Sequence, residues 1–237
     1  MIQTEGIFVG GSAISAPIIG EDFNWTGGDG TYQVLDDGGG NWRIKFLSSG
    51  TFTPLKNMVI DVFLVGGGGG AGSSYCGEGG AGYTTTVRSV VLTANTAYSI
   101  VVGAAGTNGN PSSAGGETTA FTASAAGGKN TSNGTSSSKR PGGAGGSGGA
   151  GYVSPVATTT GGTDGGDGTS SATTGGKGQG TTTREFGEAD GTLYASGGGS
   201  NLTATVSNSG NGGRNGITSI EPADGIVVIR QHKEVAA

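Results

Sequence analysis

Residues Val59–Gly72 read VIDVFLVGGGGGAG. An apolar run ending in glycines, with G-x-G-x-x-A at Gly66, Gly68 and Ala71, has the outline of a strand entering a phosphate-binding loop. The next residues argue against that reading. A dinucleotide site needs a helix after the glycines, so that free amides face the pyrophosphate. Here the chain continues SSYCGEGGAGY, and Gly77, Gly79, Gly80 and Gly82 disfavour any helix. The acidic residue that would bind a ribose about twenty positions on is also missing. No Asp or Glu stands between Glu78 and Glu117. Any five-glycine run meets the fingerprint by composition alone, so the strand stands and the glycines serve another purpose.

The flanking sequence reads as all-β. In Asn41–Leu47, NWRIKFL, Trp42, Ile44 and Phe46 face one way and Arg43 and Lys45 the other, as in a half-buried strand. Met58–Gly66 is apolar on both faces except at Asp61, which predicts a central strand with one polar point. GYTTTVRSVVL and TAYSIVV, joined by TANT, predict a hairpin rich in Thr and Val. Shorter strands are expected at TTAFTA around Phe121, GTLYAS around Leu193 and Tyr194, NLTATV from Asn201, and GIVVIRQ at Gly225–Gln231. Helix signals are almost absent. The expectation is an antiparallel β-sandwich with strands near 41–65, 83–102, 117–123, 191–196 and 225–231. Residues 1–40 would form a separate N-terminal strand or attachment segment ahead of this 41–237 unit.

Of 237 residues, 55 are glycine and 6 proline, near the level at which disorder becomes the default. Only 12% are charged, less than a solvated disordered chain carries, so the clustered apolar residues form a modest core beside something built of glycine. The net charge is −5, and Lys139–Arg140 is the densest basic spot. That argues against nucleic acid as a partner, which needs several cations on one face. Cys76 is the one cysteine, so no intrachain disulfide forms. MIQTEGIFVGGSAISAPIIG lacks a basic n-region and a long apolar h-region, and no run reaches the roughly eighteen apolar residues of a membrane helix. Synthesis in the cytoplasm without a signal peptide or membrane insertion is expected.

Glycine segments fall near 66–82, 103–116, 127–128, 142–151, 161–180, 197–199 and 210–216. In Gly142–Gly151, GGAGGSGGAG, Ala144, Ser147 and Ala150 recur every third residue. That period matches an extended left-handed helix with three residues per turn. Collagen fails, because the triplets stop and its imino acids are missing. A lone glycine rod stays disordered: ordering a residue costs roughly 1–2 kcal/mol. A backbone hydrogen bond to a neighbouring rod returns about 1 kcal/mol, and Cα–H···O contacts about 0.5–1 more. The near-zero sum predicts a bundle that is stable only where a β core fixes its ends. Strands run straight into glycine at Val65–Gly66, Val102–Gly103 and Ala126–Gly127. Gly66, Gly68, Gly142, Gly145, Gly148 and Gly151 are the expected structural positions; the competing reading is a flexible linker.

Five stretches then carry a family resemblance: NWRIKFLSSGTFT, VIDVFLVGGGGGAG, GGAGYTTTVRSVVLTANTAYSIVVGAAG, GKGQGTTTREFGEADGTLYASGGG and the closing DGIVVIR. From about Trp42 to Arg230 they resemble, in matching order, the glycine-rich domain of phage and prophage tail proteins. GQGTTTREFGEADGTLYASGGG with a terminal GIVVIR strand is the most specific part. The resemblance implies a β-sandwich from which packed polyglycine-II helices project, with essentially no α-helix. It also implies a non-enzymatic tail-fibre or tail-tip protein of the virion. Loops joining the glycine helices would bind a bacterial surface glycan or outer surface protein, alongside other phage tail proteins, in a monomer or homotrimer. The alternatives are a purely structural tail spacer and a bacterial surface adhesin.

On that layout, excursions from the sheets turn in SSYC, TNGNPSS and KNTSNGTSSSKRP. With Tyr152, their residues Tyr75, Asn108, Asn110, Asn130, Asn133, Lys139 and Arg140 form the expected receptor-binding tips. Aromatic faces and amides suit sugars and irregular protein loops, although Asn and Ser are also ordinary turn formers. No catalytic constellation is expected. His232 in the tail RQHKEVAA reads as solvated, and Cys76 has no histidine near it in sequence. Asp36–Asp37 and Glu185–Glu188 read as turns. GGTDGGDG at Gly161–Gly168, with Asp164 and Asp167, is a single copy of a calcium-repeat-like pattern without its apolar position. No metal and no cofactor are expected.

Overall fold

The structure, a computed structural model, describes residues 17–18, 20–73, 75–134, 140–152, 160–169, 175–215 and 219–232. Among them are ten strands: β1 (Phe23–Trp25), β2 (Tyr32–Gly38), β3 (Asn41–Phe46), β4 (Gly50–Pro54), β5 (Met58–Val65), β6 (Thr84–Leu92), β7 (Tyr98–Val101), β8 (Thr118–Ala120), β9 (Ala123–Ala125) and β10 (Ile226–Gln231). They form two five-stranded sheets, ordered β1-β4-β7-β8-β9 and β2-β3-β10-β5-β6. Every pairing is antiparallel. No described residue is α-helical. The chain is an all-β, sandwich-like protein.

Alternation in β3 decides what fills the sandwich. Trp42, Ile44 and Phe46 are buried, with Ile60, Val62 and Leu64 of β5 and Val227 and Ile229 of β10, against Phe23, Trp25 and Phe52 of the other sheet. Phe23 and Phe52 ring centroids lie 5.3 Å apart, and those of Trp25 and Phe46 4.7 Å. Each such side chain contributes about 1.5–3 kcal/mol through burial. Segment 21–40 is therefore built into the sandwich: β1 lies on one sheet, β2 on the other, and Phe23 and Trp25 belong to the core.

Four local expectations change. β6 and β7 are not a hairpin but lie in different sheets, and the TANT turn carries the chain between them. Leu92 and Ile100, on either side of that turn, are both core residues, so crossing between the sheets keeps both buried. TTAFTA is two strands, with Ala120 opposite Ala123 and Phe121 in the left-handed region at φ 56°. GTLYAS forms only an isolated bridge between Arg184 and Leu193, and NLTATV forms no strand. Phe186, Tyr194 and Ala195 instead pack on Phe63, Val65, Ile226 and Val228, so side-chain burial rather than a ladder holds segment 183–195 on the outer sheet face.

Glycine segments leave one end of the sandwich between β5 and β6, between β7 and β8, and after β9. Among their described residues they carry no strand or helix assignment apart from isolated bridges and the short 3₁₀ turn at Glu185–Gly187, yet they bond to one another through the backbone. Gly66 and Gly69 donate to Tyr83 and Gly80 of the return leg at 3.0 and 2.8 Å. Gly67 and Gly70 donate to Gly116 and Ser113 of another leg. Gly128 and Thr131 donate back to Gly67 and Gly70, while Gly143 and Gly146 donate to Glu78 and Ala81. Residues three apart address the same neighbour, and successive residues address different ones. Packing is close enough that a Cβ at Gly66, Gly68, Gly142, Gly145 or Gly148 would come within 3.0 Å of a neighbouring carbonyl.

Gly142–Gly151 is not one straight rod. It bends at Gly145–Ser147 and doubles back, so that Gly149 donates to Gly143 at 2.8 Å and Arg140 bridges Tyr152. At the bend Gly146 donates to Ala81, and its Cα faces the methyl of the buried Ala195, both in segments that pack on the outer face of the sheet. Ala144 and Ala150 therefore stand on opposite legs, although their spacing continues one register.

Candidate functional site

The bend at Gly145–Ser147 carries Arg140 and Tyr152 to the end of the bundle away from the sheets, where the first excursion turns. There Tyr75, 42% exposed, meets Tyr152 edge to face, with ring centroids 5.8 Å apart and planes at 85°. The two rings come from loops far apart in sequence. Asn133 joins the same group: its Oδ1 accepts from the Ser73 amide at 2.7 Å, and its Nδ2 donates to Ser73 Oγ at 2.9 Å. Thr131 ties the turn beneath, accepting from the Gly72 amide and donating to the Gly77 carbonyl.

The other expected tip residues divide. Asn108 is a latch within the bundle: its Oδ1 accepts from Ala71 N–H at 2.8 Å, and its Nδ2 donates to the Ile220 carbonyl at 2.9 Å. Asn130 donates to the Ser112 carbonyl at 2.9 Å and exposes the rest of its side chain. Asn110 is exposed and precedes Pro111 through a cis peptide. Lys139 lies outside the described residues. The structure thus brings Tyr75, Asn133 and Tyr152 into one patch, with the Arg140 backbone bridging Tyr152, while the Asn108 side chain bonds within the bundle.

Glu78 at this end was not singled out by its sequence. Its Oε2 accepts from the Asn215 amide at 2.7 Å, and Asn215 Nδ2 donates to the Gly72 carbonyl. Burial pushes the Glu78 carboxyl up to about 7, against the pull of the Asn215 amide and Arg214. The folded protein therefore holds this proton more tightly than the unfolded chain. Stability is greatest below the ordinary glutamate value of 4.5 and is lost as pH rises through about 7. Glu78→Gln keeps the site neutral and the amide contact available. It is expected to match wild type below about pH 5 and to exceed it by roughly 2–3 kcal/mol at pH 8. Urea unfolding across that range checks this; parallel pH profiles for the two proteins would refute it.

A second concentration of polar groups covers the outer face of the β10-containing sheet. Asp61, fully buried, accepts from Arg230 Nε and Arg88 Nη1, each at 3.1 Å, and lies 2.6 Å from His232 Nδ1. His232, expected in solvent, is instead drawn over Asp61, because its amide continues the β10–β5 pairing by donating to the Val59 carbonyl at 2.9 Å. Burial pushes the Asp61 carboxyl up, but bonds from His232, the Ser89 amide and Arg230 hold it below the usual range. Glu185, 2% exposed, pairs with Arg43 at 2.7 Å, and Glu188 with Arg230 at 2.7 Å. The turn expected at Glu185–Glu188 is present as a 3₁₀ turn, and its two carboxylates also clamp the sheet, with the Arg230 guanidinium 4.1 Å above the Phe186 ring. A cavity of about 310 Å³ lies beside it, lined by Asp37, Trp42, Arg43, Glu185, Phe186 and Asp190 among others.

Ser89, His232 and Asp61 are the residue types of a nucleophilic triad, but they are not aligned as one. Ser89 Oγ lies 3.0 Å from Nε2 and 3.5 Å from Nδ1 of His232, so it sits over the ring face rather than along the Nε2 lone pair. Ser89 occupies a bulge, at φ 58°, where the β5–β6 register shifts opposite Asp61. The bulge turns both Arg88 and Ser89 toward one carboxylate, which explains how a charged residue is tolerated in a central strand. The Asp164 and Asp167 carboxylates are used by Thr182 with Arg184, and by Lys177, respectively. No cluster of three metal-ligating residue types occurs among the described residues.

Comparison with known proteins gives one kind of match. The model of a glycine-rich domain family fits residues 47–230, from the end of β3 through Arg230 of β10. None of the curated proteins compared matches the chain.

Proposed function

The chain belongs to this glycine-rich domain family, and from the resemblance of its motifs to phage and prophage tail proteins we propose that it is a receptor-binding component of a phage tail, a tail-fibre or tail-tip protein. The glycine segments act as polyglycine-II rods, a reading supported by hydrogen bonds that address a given neighbour every third residue. Rods of six or so residues at ~3.1 Å each hold the joining loops on the order of 20 Å from the sheets. The observation that carries the proposal is the Tyr75–Tyr152 pair. Two aromatic rings from separate excursions share one patch at the end of a backbone-bonded support. Aromatic side chains supply rigid contact area at small entropic cost, which suits a bacterial surface glycan or protein loop. Attachment would need no covalent chemistry at this end, and the sandwich would face the remaining tail proteins.

A purely structural spacer is the second reading, favoured by Asn108, Asn130 and Asn133, whose side chains bond within the molecule. Paired Tyr75→Ala and Tyr152→Ala substitutions separate the two. The double variant is expected to lose at least about tenfold in binding to intact cells of a susceptible strain, as truncation of aromatic anchors does elsewhere. Its melting temperature should stay within a few degrees of wild type, since both rings lie at the surface. Unchanged cell binding by the folded double variant would leave the spacer.

A further inference from the structure

The cavity of about 310 Å³ on the outer sheet face holds a charge that its own ion pairs do not balance. Arg43 stands opposite Arg230 in the β3–β10 ladder, while Ile226, at the start of β10, pairs with Val65, where the glycine legs begin. The cavity therefore lies toward the end of the sandwich away from the bundle. Two guanidiniums, of Arg43 and Arg230, and four carboxylates, of Asp37, Glu185, Glu188 and Asp190, line it. All three Arg43 nitrogens are engaged, two with Asp37 and one with Glu185, each at 2.7 Å. Those of Arg230 are engaged with Asp61 at 3.1 Å and with both oxygens of Glu188 at 2.9 and 2.7 Å. Lys45, 3.6 Å from Glu185, supplies a third cation. Asp190, exposed at the cavity, is left without a cationic partner among the described residues. The Thr192 hydroxyl and the Gln231 side-chain amide, of two further lining residues, likewise bond to no described group.

From this balance we infer that the cavity receives the basic side chain, arginine or lysine, of an adjoining protein. An anion finds no donor here, because every guanidinium nitrogen is already committed to a carboxylate. A divalent cation takes about six to eight oxygens, and three of the four carboxylates are spent on guanidiniums. One ammonium or guanidinium asks for less: a single carboxylate, supplied by Asp190, and neutral acceptors, supplied by Thr192 and Gln231. The volume stands at the low end of the roughly 300–1,000 Å³ of small-molecule pockets, which suits one side chain better than a whole ligand. Position agrees with charge. The exposed carboxylates of Asp37 and Asp190 open the cavity to a protein lying across the sandwich end, on the side away from the bundle, and the chain as a whole carries −5. This assignment rests on the cavity and is independent of the receptor reading.

The test titrates the isotope-labelled full chain with the capped tripeptides Gly-Arg-Gly and Gly-Lys-Gly, and with a neutral isostere carrying citrulline in place of arginine. Amide resonances of Gly191, Thr192 and Gln231 are followed. Saturable shifts centred on these amides are expected with a basic peptide, weakening severalfold as salt rises from about 50 to about 300 mM. The citrulline peptide should bind at least about tenfold more weakly than its arginine counterpart. Asp190→Asn is expected to lose about fivefold in affinity for the basic peptide and to melt like wild type, since the side chain is exposed. Equal binding of the citrulline peptide, unchanged affinity in Asp190→Asn, or amides that do not move with either basic peptide would overturn the assignment. Should Asp190→Asn misfold, the citrulline comparison on the unmodified chain decides. The double tyrosine variant should take the basic peptide as wild type does, so failure of this site and failure of the receptor reading are told apart.

Discussion

Gly68→Val is expected to destabilise the glycine bundle by at least about 4 kcal/mol, leaving it unfolded at 37 °C beside a folded sandwich. The cause is steric and local. A Cβ at Gly68 would come well within 3.0 Å of the Asn211 carbonyl, a backbone group that no rotamer change can move aside. Gly68 also donates to Ala223 and accepts from Gly106, so displacing it breaks bonds to two other legs at once. Overpacking of side chains alone costs about 1–3 kcal/mol, because side chains give way. Here the obstacle is main chain fixed by its own hydrogen bonds. Gly39→Ala is the control. It lies in the β2–β3 turn at φ 60° with no nearer neighbour than the Asn41 side chain at 3.7 Å, so it should cost only about 1–2 kcal/mol of backbone strain. Amide exchange mapped along Gly66–Gly82 and Gly142–Gly151, with thermal melts, would show the difference. A Gly68→Val protein that melts and exchanges like wild type would mean that these segments are not packed against one another.

Removing Asp61 is expected to have the second large effect, a loss of about 3–5 kcal/mol in Asp61→Ala. Asp61 neutralises Arg230, whose side chain is 10% exposed, and bonds Arg88, His232 and the Ser89 amide. Its loss leaves a buried guanidinium short of one carboxylate and opens the bulge in β6. Glu188 would still hold Arg230, so the loss should deepen further in Asp61→Ala with Glu188→Ala than the two single effects sum to. Because Asp61 is held below its ordinary value, the wild type keeps this contribution above about pH 4 and loses it only on stronger acidification. Urea titration at pH 7 measures the difference directly. A midpoint within experimental error of wild type would show that the ion pairs across this sheet add nothing to stability.

Much of the sandwich is legible from side-chain alternation. Trp42, Ile44 and Phe46 face the core as their spacing demands, and the uniformly apolar run around Asp61 is a central strand. The turn glycines of the β2–β3 hairpin follow Asp36–Asp37, whose Asp36 accepts from the Gly38 amide. Failures occur where local signals end. TANT resembles a hairpin turn, but only the second sheet decides that the chain crosses instead. GTLYAS has strand composition, but Tyr194 and Phe186 gain more by lying on Phe63 than the backbone would gain by pairing at an edge. The tip patch was half legible. Tyr75 and Tyr152 are visible as aromatics among glycines, whereas the role of Asn108 as a latch depends on Ile220, more than a hundred residues away.

Sequence alone determined that this chain is all-β and that glycine interrupts it where strands end, because period and composition are properties of neighbours along the chain. Tertiary structure alone decided that Gly142–Gly151 turns back on itself, that Glu185 clamps a sheet, and that His232 leaves solvent for Asp61. Glycine carries no side chain to encode a partner, so which rod lies beside which is settled only when the sheets fix their ends and each amide meets the carbonyl that geometry brings to it.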